Sequence, residues 1–350
     1  MAVELPPGAD IAAAIGAIDR ADGEPALRAG LDRARTLIVA ESRASTPAIG
    51  NAANWSAVLR HGVAAAVRLT TADRAMAWTW FVSGSAARGE AVPGSDVETL
   101  LALGDDVDAD AKTAAQELAA DVHGLLDRCD IGGDANGVLA SRSRFCRRLG
   151  SWSESIVRWV DAPREDRGVV MTGIVADSGA VYSSMQISES ALRTTSLAAV
   201  ATTPGTLRWM LQDATAVRST FPSRLRTFAL GADTVDLKLA AIDPIVKTAR
   251  WAALSAGSSA LSTPGRLADA AERNILDPVD ASTLDDCFQQ LLRFRWQCRC
   301  AAWLSGQRPT DTVTLADLAP HQRAQLRSIA REVAGIRRKF SYLANTPGIQ

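Results

Sequence analysis

The feature that most limits what this chain can become is a change of hydrophobic period near Ala77. Upstream, apolar residues recur every three or four positions: Ile11, Ile15 and Ile18, then Leu27, Leu31, Ala34 and Ile38. That spacing marks Ala-rich amphipathic helices. Thr46-Pro47 breaks the pattern, and a third helix is expected from Trp55 to Leu69. At Ala77-Trp78-Thr79-Trp80-Phe81-Val82 the residues turn aromatic and β-prone, so a strand is expected there. A second is expected from Val97 to Leu103, ended by Gly104-Asp105-Asp106, and a helix from Asp108 to Leu126.

Further along, Ile131 to Gly137 reads as a loop, Val138 to Ala140 as a short strand and Ser151 to Val160 as a helix carrying Trp152 and Trp159. The apolar run Val169 to Ala176 reads as a buried strand closing on Asp177. Ser188 to Phe221 reads as mostly helical, interrupted near Pro204-Gly205. From Asp236 onward everything reads as helix, with Asp243-Pro244 and Thr263-Pro264 as start signals. A helix from Leu284 to Leu304 stops at Gly306, and a last one runs from Pro320 to Leu343. In that last helix Leu326, Ile329, Val333, Ile336, Phe340 and Leu343 form a bundle seam. Arg323, Arg327 and Arg331 lie opposite it as a solvated basic stripe. The expected class is α+β. A helical segment (1–71) precedes a small mixed sheet with helices (72–225), and a helical bundle (226–350) follows.

Bulk numbers exclude several functions. With a net charge of -1, no global field recruits nucleic acid or an acidic membrane. No apolar run approaches the ~20 residues of a membrane span. The amino terminus lacks the basic region and apolar core of a secretion signal. Cys129, Cys146, Cys287, Cys298 and Cys300 are odd in number and scattered. On a helix, Cys298 and Cys300 point roughly 200° apart. Free thiols in a reducing cytoplasm are expected.

Between the first two expected strands lie Gly84-Ser85, Arg88 and the pair Asp96-Val97-Glu98. On a strand, Asp96 and Glu98 share a face. Burying two like charges costs several kcal/mol, which a divalent cation removes. Mg²⁺ suits the position, since it takes one or two carboxylates while gripping phosphates. Glycine allows close approach to a phosphate, with amides and a Ser hydroxyl as donors. Arg88 is expected to reach the same phosphates. Asp105, Asp106, Asp108 and Asp110 lack the glycine and terminal glutamate of a calcium loop and read as a solvated helix start. His61 and His123 read as packing or surface residues, and Arg142, Arg144, Arg147 and Arg148 as a solvated helix face or, alternatively, as contacts to nucleotide phosphates.

Gly-Ser, a short helix and Asp-x-Asp or Asp-x-Glu resembles the signature of the polymerase β-like nucleotidyltransferases. More narrowly, the chain resembles bacterial nucleotidyltransferases related to PII-uridylyltransferase and glutamine-synthetase adenylyltransferase. The matching hallmark is Gly84-Ser85-Ala86-Ala87-Arg88-Gly89-Glu90 followed by Ser95-Asp96-Val97-Glu98. Gly137-Val138-Leu139-Ala140-Ser141, Asp177, Asp236-Leu237-Lys238, Pro244-Ile245-Val246 and Arg266-Leu267 also match. Two departures stand out: Glu98 replaces the family's usual Asp, and Ala176, Ser178 and Gly179 flank Asp177 where the family has an arginine and a bulky apolar residue.

The resemblance implies a polymerase β-like domain with a C-terminal helical substrate-binding domain, acting as a nucleotidyltransferase. It implies that Gly84, Ser85, Arg88 and Ser95 bind the triphosphate of ATP or UTP. Asp96, Glu98 and Asp177 would hold two Mg²⁺, with Asp177 also the base. It further implies a hydroxyl acceptor on a small molecule or on a protein of the PII or glutamine-synthetase type, and leaves room for a homo-oligomer. The competing expectation is a silent nucleotide-binding regulator that uses its bundle as an interaction surface.

Overall fold

The computed structural model describes residues 8–43, 47–71, 76–217 and 233–345. They divide into two compact units, one within Met1–Trp159 and Val170–Ser196, the other within Val160–Val169 and Leu197–Gln350. Thr46, Phe221 and the expected boundary at 225/226 lie outside the described residues.

The first unit opens with α1 (Ala9–Asp19), α2 (Glu24–Arg43) and α3 (Ala48–Thr70). Ile11, Ile15 and Ile18, and Leu27, Leu31, Ala34 and Ile38, are all buried, so both helical stripes face a core. α3 is longer than the expected Trp55 to Leu69 because it starts directly after Pro47. Next come β1 (Trp78–Ser83), α4 (Gly84–Arg88), β2 (Glu98–Leu103), α5 (Ala109–Arg128), β3 (Cys146–Arg148), α6 (Leu149–Asp161), α7 (Gly168–Ala176), β4 (Gly179–Ser183) and α8 (Ala191–Thr202). The sheet order is β3-β2-β1-β4. β1 runs antiparallel to both neighbours, and β3 parallel to β2. All six residues of β1 are buried, as a central aromatic strand requires.

Three sequence expectations change here. Val169 to Ala176 forms a helix, not a strand. A short continuous apolar run has no period to read, and it is buried equally well in either form. Val138 to Ala140 is not a strand, although Thr99 donates to the Val138 carbonyl at 3.0 Å. The expected arginine face is in part the edge strand β3. Arg147 stacks over Trp152 and Trp159 at 5.7 and 5.4 Å and donates to Ser155 Oγ at 2.9 Å, while Arg148 donates to the Val107 carbonyl at 2.5 Å. Asp108 caps α5 by accepting from the Ala111 amide at 2.8 Å, as the solvated-turn reading anticipates.

The second unit holds α9 (Gly205–Thr215), β5 (Thr234–Asp236), a π-turn (Lys238–Ile242), α10 (Asp243–Ser255), α11 (Thr263–Glu272), α12 (Pro278–Leu304), β6 (Thr312–Thr314) and α13 (Pro320–Asn345). It is therefore not all-helical, since β5 and β6 pair antiparallel. Asp243 is not a cap either. The helix is already running through the π-turn, and Asp236 does the capping by accepting from the Leu239 amide at 2.9 Å. Pro244 explains the widened turn before it: a proline inside a helix removes one i→i−4 bond and crowds that carbonyl. Ser262, one residue earlier than expected, caps α11. α12 begins at Pro278 behind Asp277, whose side chain accepts from the Val279 amide at 2.8 Å. The α13 seam is buried at Leu326, Ile329, Val333, Ile336 and Phe340, and Leu343 is half-buried. Among the described residues no helix is long and apolar enough to cross a membrane, and all five cysteines are free thiols.

A buried ion cluster ties α12 to the segment before β6. Arg295 grips Asp311 with two hydrogen bonds, of 2.8 and 2.9 Å, and Arg299 reaches the same carboxylate at 2.8 Å. Burial opposes ionisation of Asp311, but the two guanidiniums outweigh it and hold the carboxyl at about 2, below its ordinary 3.8. A depressed carboxyl pKa stabilises the folded state above the unfolded pKa and ceases to do so as pH falls through the folded value. Melts followed by circular dichroism should therefore show a stability loss between pH about 4 and about 2 that Asp311→Asn lacks. At pH 7 the same substitution should lower stability by ~3–5 kcal/mol, because it removes the negative charge that two buried guanidiniums share.

Candidate active site

The site forms where β1 ends. Ser83 closes the strand and donates its hydroxyl to the Ile174 carbonyl of α7 at 2.7 Å. Gly84 follows with φ +64°, a left-handed conformation that turns the chain straight out of the strand into α4. Gly89, at φ +74°, ends that short helix with its N–H on the Ser85 carbonyl.

Sheet register decides what meets this turn. Ser83 pairs with Glu98, so the Glu98 side chain comes against Gly84. A Cβ placed on Gly84 would lie 3.0 Å from the carboxylate carbon and both oxygens of Glu98. On the other side, Val82 pairs with Gly179 of β4, and Asp177 precedes Gly179 by two residues. Gly84, Ser85, Glu98 and Asp177 are thus gathered at one end of the sheet from three stretches of backbone. Asp96 joins them through Val97, which is fully buried and extended. Its amide donates to the Gly132 carbonyl at 3.0 Å, and its carbonyl accepts from the Asp134 amide at 3.1 Å. Strand alternation across Val97 puts Asp96 and Glu98 on the same face, both half-buried, as the sequence reading expected.

Three expected site residues have protein partners of their own. Arg88 does not face the turn as a free phosphate ligand. Its Nε donates to Glu90 Oε2 at 2.7 Å and its Nη1 donates to Asp177 Oδ2. The three side chains are only 9%, 3% and 2% exposed, Arg88 first, then Glu90 and Asp177. Burial disfavours the Arg88 charge, but the Glu90 and Asp177 carboxylates outweigh it and hold the guanidinium above its ordinary pKa. Asp177 sits at the end of a helix and is engaged by this arginine, and among the described residues no three acidic, histidine or cysteine side chains converge to hold a metal. Asp96 and Glu98 lie half-buried on one strand face, while Asp177 is held by Arg88. Ser95 accepts from the Val92 amide at 2.9 Å, closing its own turn.

Sequence reasoning gave Glu90 no role. The signal was its place two residues after Arg88, across the left-handed Gly89. Arg193 was missed altogether, with no local signal in α8. Its Nη1 donates to the Ser178 carbonyl at 3.3 Å, beside Asp177. Burial lowers its pKa, opposed by Glu189 and Asp177. His123 is a packing residue: its Nε2 meets Thr99 Oγ1 at 2.9 Å, and burial lowers its pKa against the pull of Asp127. Exposed His61 pairs with Asp19 at 2.7 Å.

A glycine-serine turn against a strand-borne carboxylate pair, on a small mixed sheet, defines the nucleotidyltransferase class of fold. Two family models match the chain. Residues 33–166 match the one described as putative nucleotidyltransferase DUF294, and residues 204–343 match the putative nucleotidyltransferase substrate binding domain. Together they cover well over half of it, and the chain belongs to this nucleotidyltransferase family, with the family's C-terminal substrate-binding domain. The first match spans Gly84 through Glu98, and Asp177 falls between the two. No curated protein matches the chain.

The closeness of Glu98 to Gly84 makes that glycine irreplaceable on two counts, its positive φ and its missing side chain. Gly84→Ala should lower stability by ~1–3 kcal/mol through backbone strain and displacement of the Glu98 carboxylate. Gly89→Ala shares only the strained φ and should lose less, because its Cβ would meet nothing closer than 4.0 Å. Chemical denaturation of both variants checks the order.

Proposed function

We propose that this protein transfers a nucleoside monophosphate from a nucleoside triphosphate, ATP or UTP, to a hydroxyl of a protein or small molecule, releasing pyrophosphate. The observation that supports it most is the contact of the Glu98 carboxylate with Gly84, which puts a metal-ligand type of side chain beside a turn suited to phosphate. The residues fit a divalent cation. Asp96 and Glu98 share a face and are half-buried, and Mg²⁺ needs only one or two carboxylates when phosphate oxygens complete its shell. The surrounding formal charge agrees: Glu90, Asp96, Glu98 and Asp177 stand against Arg88 and Arg193. When bound, Mg²⁺ would neutralise phosphate charge.

The chain's own groups do the rest. Amides and the hydroxyl of Gly84-Ser85 seat the triphosphate tail, and Asp96 and Glu98 fix the cation that accompanies it. The acceptor oxygen attacks the α-phosphorus in line. A phosphorus–oxygen bond forms there as the bond to the bridging β-oxygen breaks, the hydroxyl proton passes to water, and pyrophosphate departs. Positioning and charge neutralisation carry such a reaction. The acceptor belongs to the second unit, given its substrate-binding family match. There the arginine face of α13, with Arg331 and Arg338 exposed, suits an acceptor of acidic surface.

One observation favours the second reading, a nucleotide-binding regulator without turnover: Asp177, the expected base, is already engaged by Arg88. The two readings separate when the protein is incubated with labelled triphosphates and Mg²⁺ and pyrophosphate release is followed. An enzyme should lose ~100-fold or more of its rate in Asp96→Ala and in Glu98→Ala. Triphosphate binding without release by the unaltered protein selects the regulator, and neither binding nor release overturns both.

A further inference from the structure

We propose that Arg88, Glu90 and Asp177 form a positioning clamp that holds the Gly84-Ser85 turn at the end of the sheet, and that Asp177 acts through Arg88 instead of touching metal or nucleotide. The role assigned to the turn rests on the function proposed above; the clamp itself rests on geometry alone.

Four observations support it. First, α4 is only five residues long, from Gly84 to Arg88, too short to hold itself together. Its stability has to come from its surroundings: Ala86 and Ala87 are buried, and both ends are anchored. Second, its start is fixed through Ser83, whose hydroxyl is bonded to the Ile174 carbonyl, and its end is fixed through Arg88, bonded to Asp177. Both anchors lie on the α7–β4 stretch, three residues apart. The turn is thus pinned at both ends to one rigid neighbour. Third, Glu90 is bonded to Arg88 from the far side of Gly89, and the Glu90 amide donates to the Ser85 carbonyl at 2.9 Å. The guanidinium therefore closes a loop of contacts that runs from Ser85 through Glu90 and Arg88 to Asp177. Fourth, all three side chains are nearly solvent-free. A buried charge that loses its partner is strongly disfavoured, so the cluster stays formed or fails as a whole.

A clamp and a ligand make different demands on the carboxylate of Asp177. A ligand would contribute to chemistry and leave the local backbone unaltered when removed. A clamp residue, removed, loosens the turn and weakens triphosphate binding, with the chemical step spared. Full-length Asp177→Asn, Arg88→Met, the double variant and Asp96→Ala are compared by amide hydrogen exchange and, with ATP or UTP and Mg²⁺, by kcat and KM. Asp177→Asn should speed exchange of the amides of 84–90 about tenfold or more while leaving those of α13 unchanged, the signature of a local opening. Its KM for the triphosphate should rise about tenfold with kcat within about threefold of the unaltered protein. Arg88→Met should behave alike, and the double variant should be no worse than either single one, as expected for members of one network. Asp96→Ala should lose turnover with exchange at 84–90 unchanged.

Should Asp177→Asn not fold, Arg88→Lys, which keeps the charge but lacks the planar fork that holds both carboxylates at fixed geometry, gives the same reading with a smaller effect. The proposal is overturned if Asp177→Asn removes turnover while exchange at 84–90 stays as it was, or if the effects of the two single variants add. Should the unaltered protein show neither binding nor turnover, the functional reading fails, and the exchange pattern alone still decides whether the clamp exists.

Discussion

Charge taken out of water has to find a partner, and at the end of the central sheet one guanidinium holds two carboxylates at once. Arg88 reaches Glu90 on its own loop and Asp177 at the end of a distant helix. β1 stops at Ser83 and turns through a left-handed glycine into five residues that are bonded at both ends and buried in between. The turn is then close enough for Glu98, one strand over, to lie against Gly84 where a larger residue would have a side chain.

The second unit uses the same physics with the charges reversed. There a single carboxylate, Asp311, is held by Arg295 and Arg299. That cluster fixes the approach to β6 against the longest helix, and the Leu237 amide donates to the Asp311 carbonyl at 3.0 Å, which ties in the start of the π-turn. Elsewhere the unit is held by apolar seams and helix-end contacts. Arg208, for example, donates to the Ala344 carbonyl at 3.0 Å near the carboxyl end of α13, a favourable place for a cation. Asymmetric charge clusters of this kind make each unit sensitive to loss of a single partner.

Membership of a nucleotidyltransferase family fits a sheet whose business end is assembled from three separated segments. The fold alone does not secure chemistry. What bears on chemistry is the division of labour among four acidic residues. Two, Asp96 and Glu98, are half-buried and share a strand face. The other two, Glu90 and Asp177, are buried and neutralised. Half-buried carboxylates keep solvent to screen them, whereas the two buried ones need the guanidinium to offset their charge.

Much of this was legible in order along the chain. The helical stripes of α1 and α2, the aromatic run of β1, the alternation of Asp96 and Glu98 and the seam of α13 all have a period, and a period fixes which side faces the core. The run before Asp177 has none, so its helix was invisible, and short β3, β5 and β6 hold too few residues to signal at all. The proline at 244 was a correct sign of helix but an incorrect sign of its start, because a π-turn made room for it. By itself the sequence determined which residues are apolar, which alternate and which glycines are free to turn, since those follow from local sterics and burial. Only the tertiary structure decided which carboxylates stay half-buried on the strand face and which are bound to Arg88. That choice depends on distances between side chains 89 positions apart, and no local pattern encodes it.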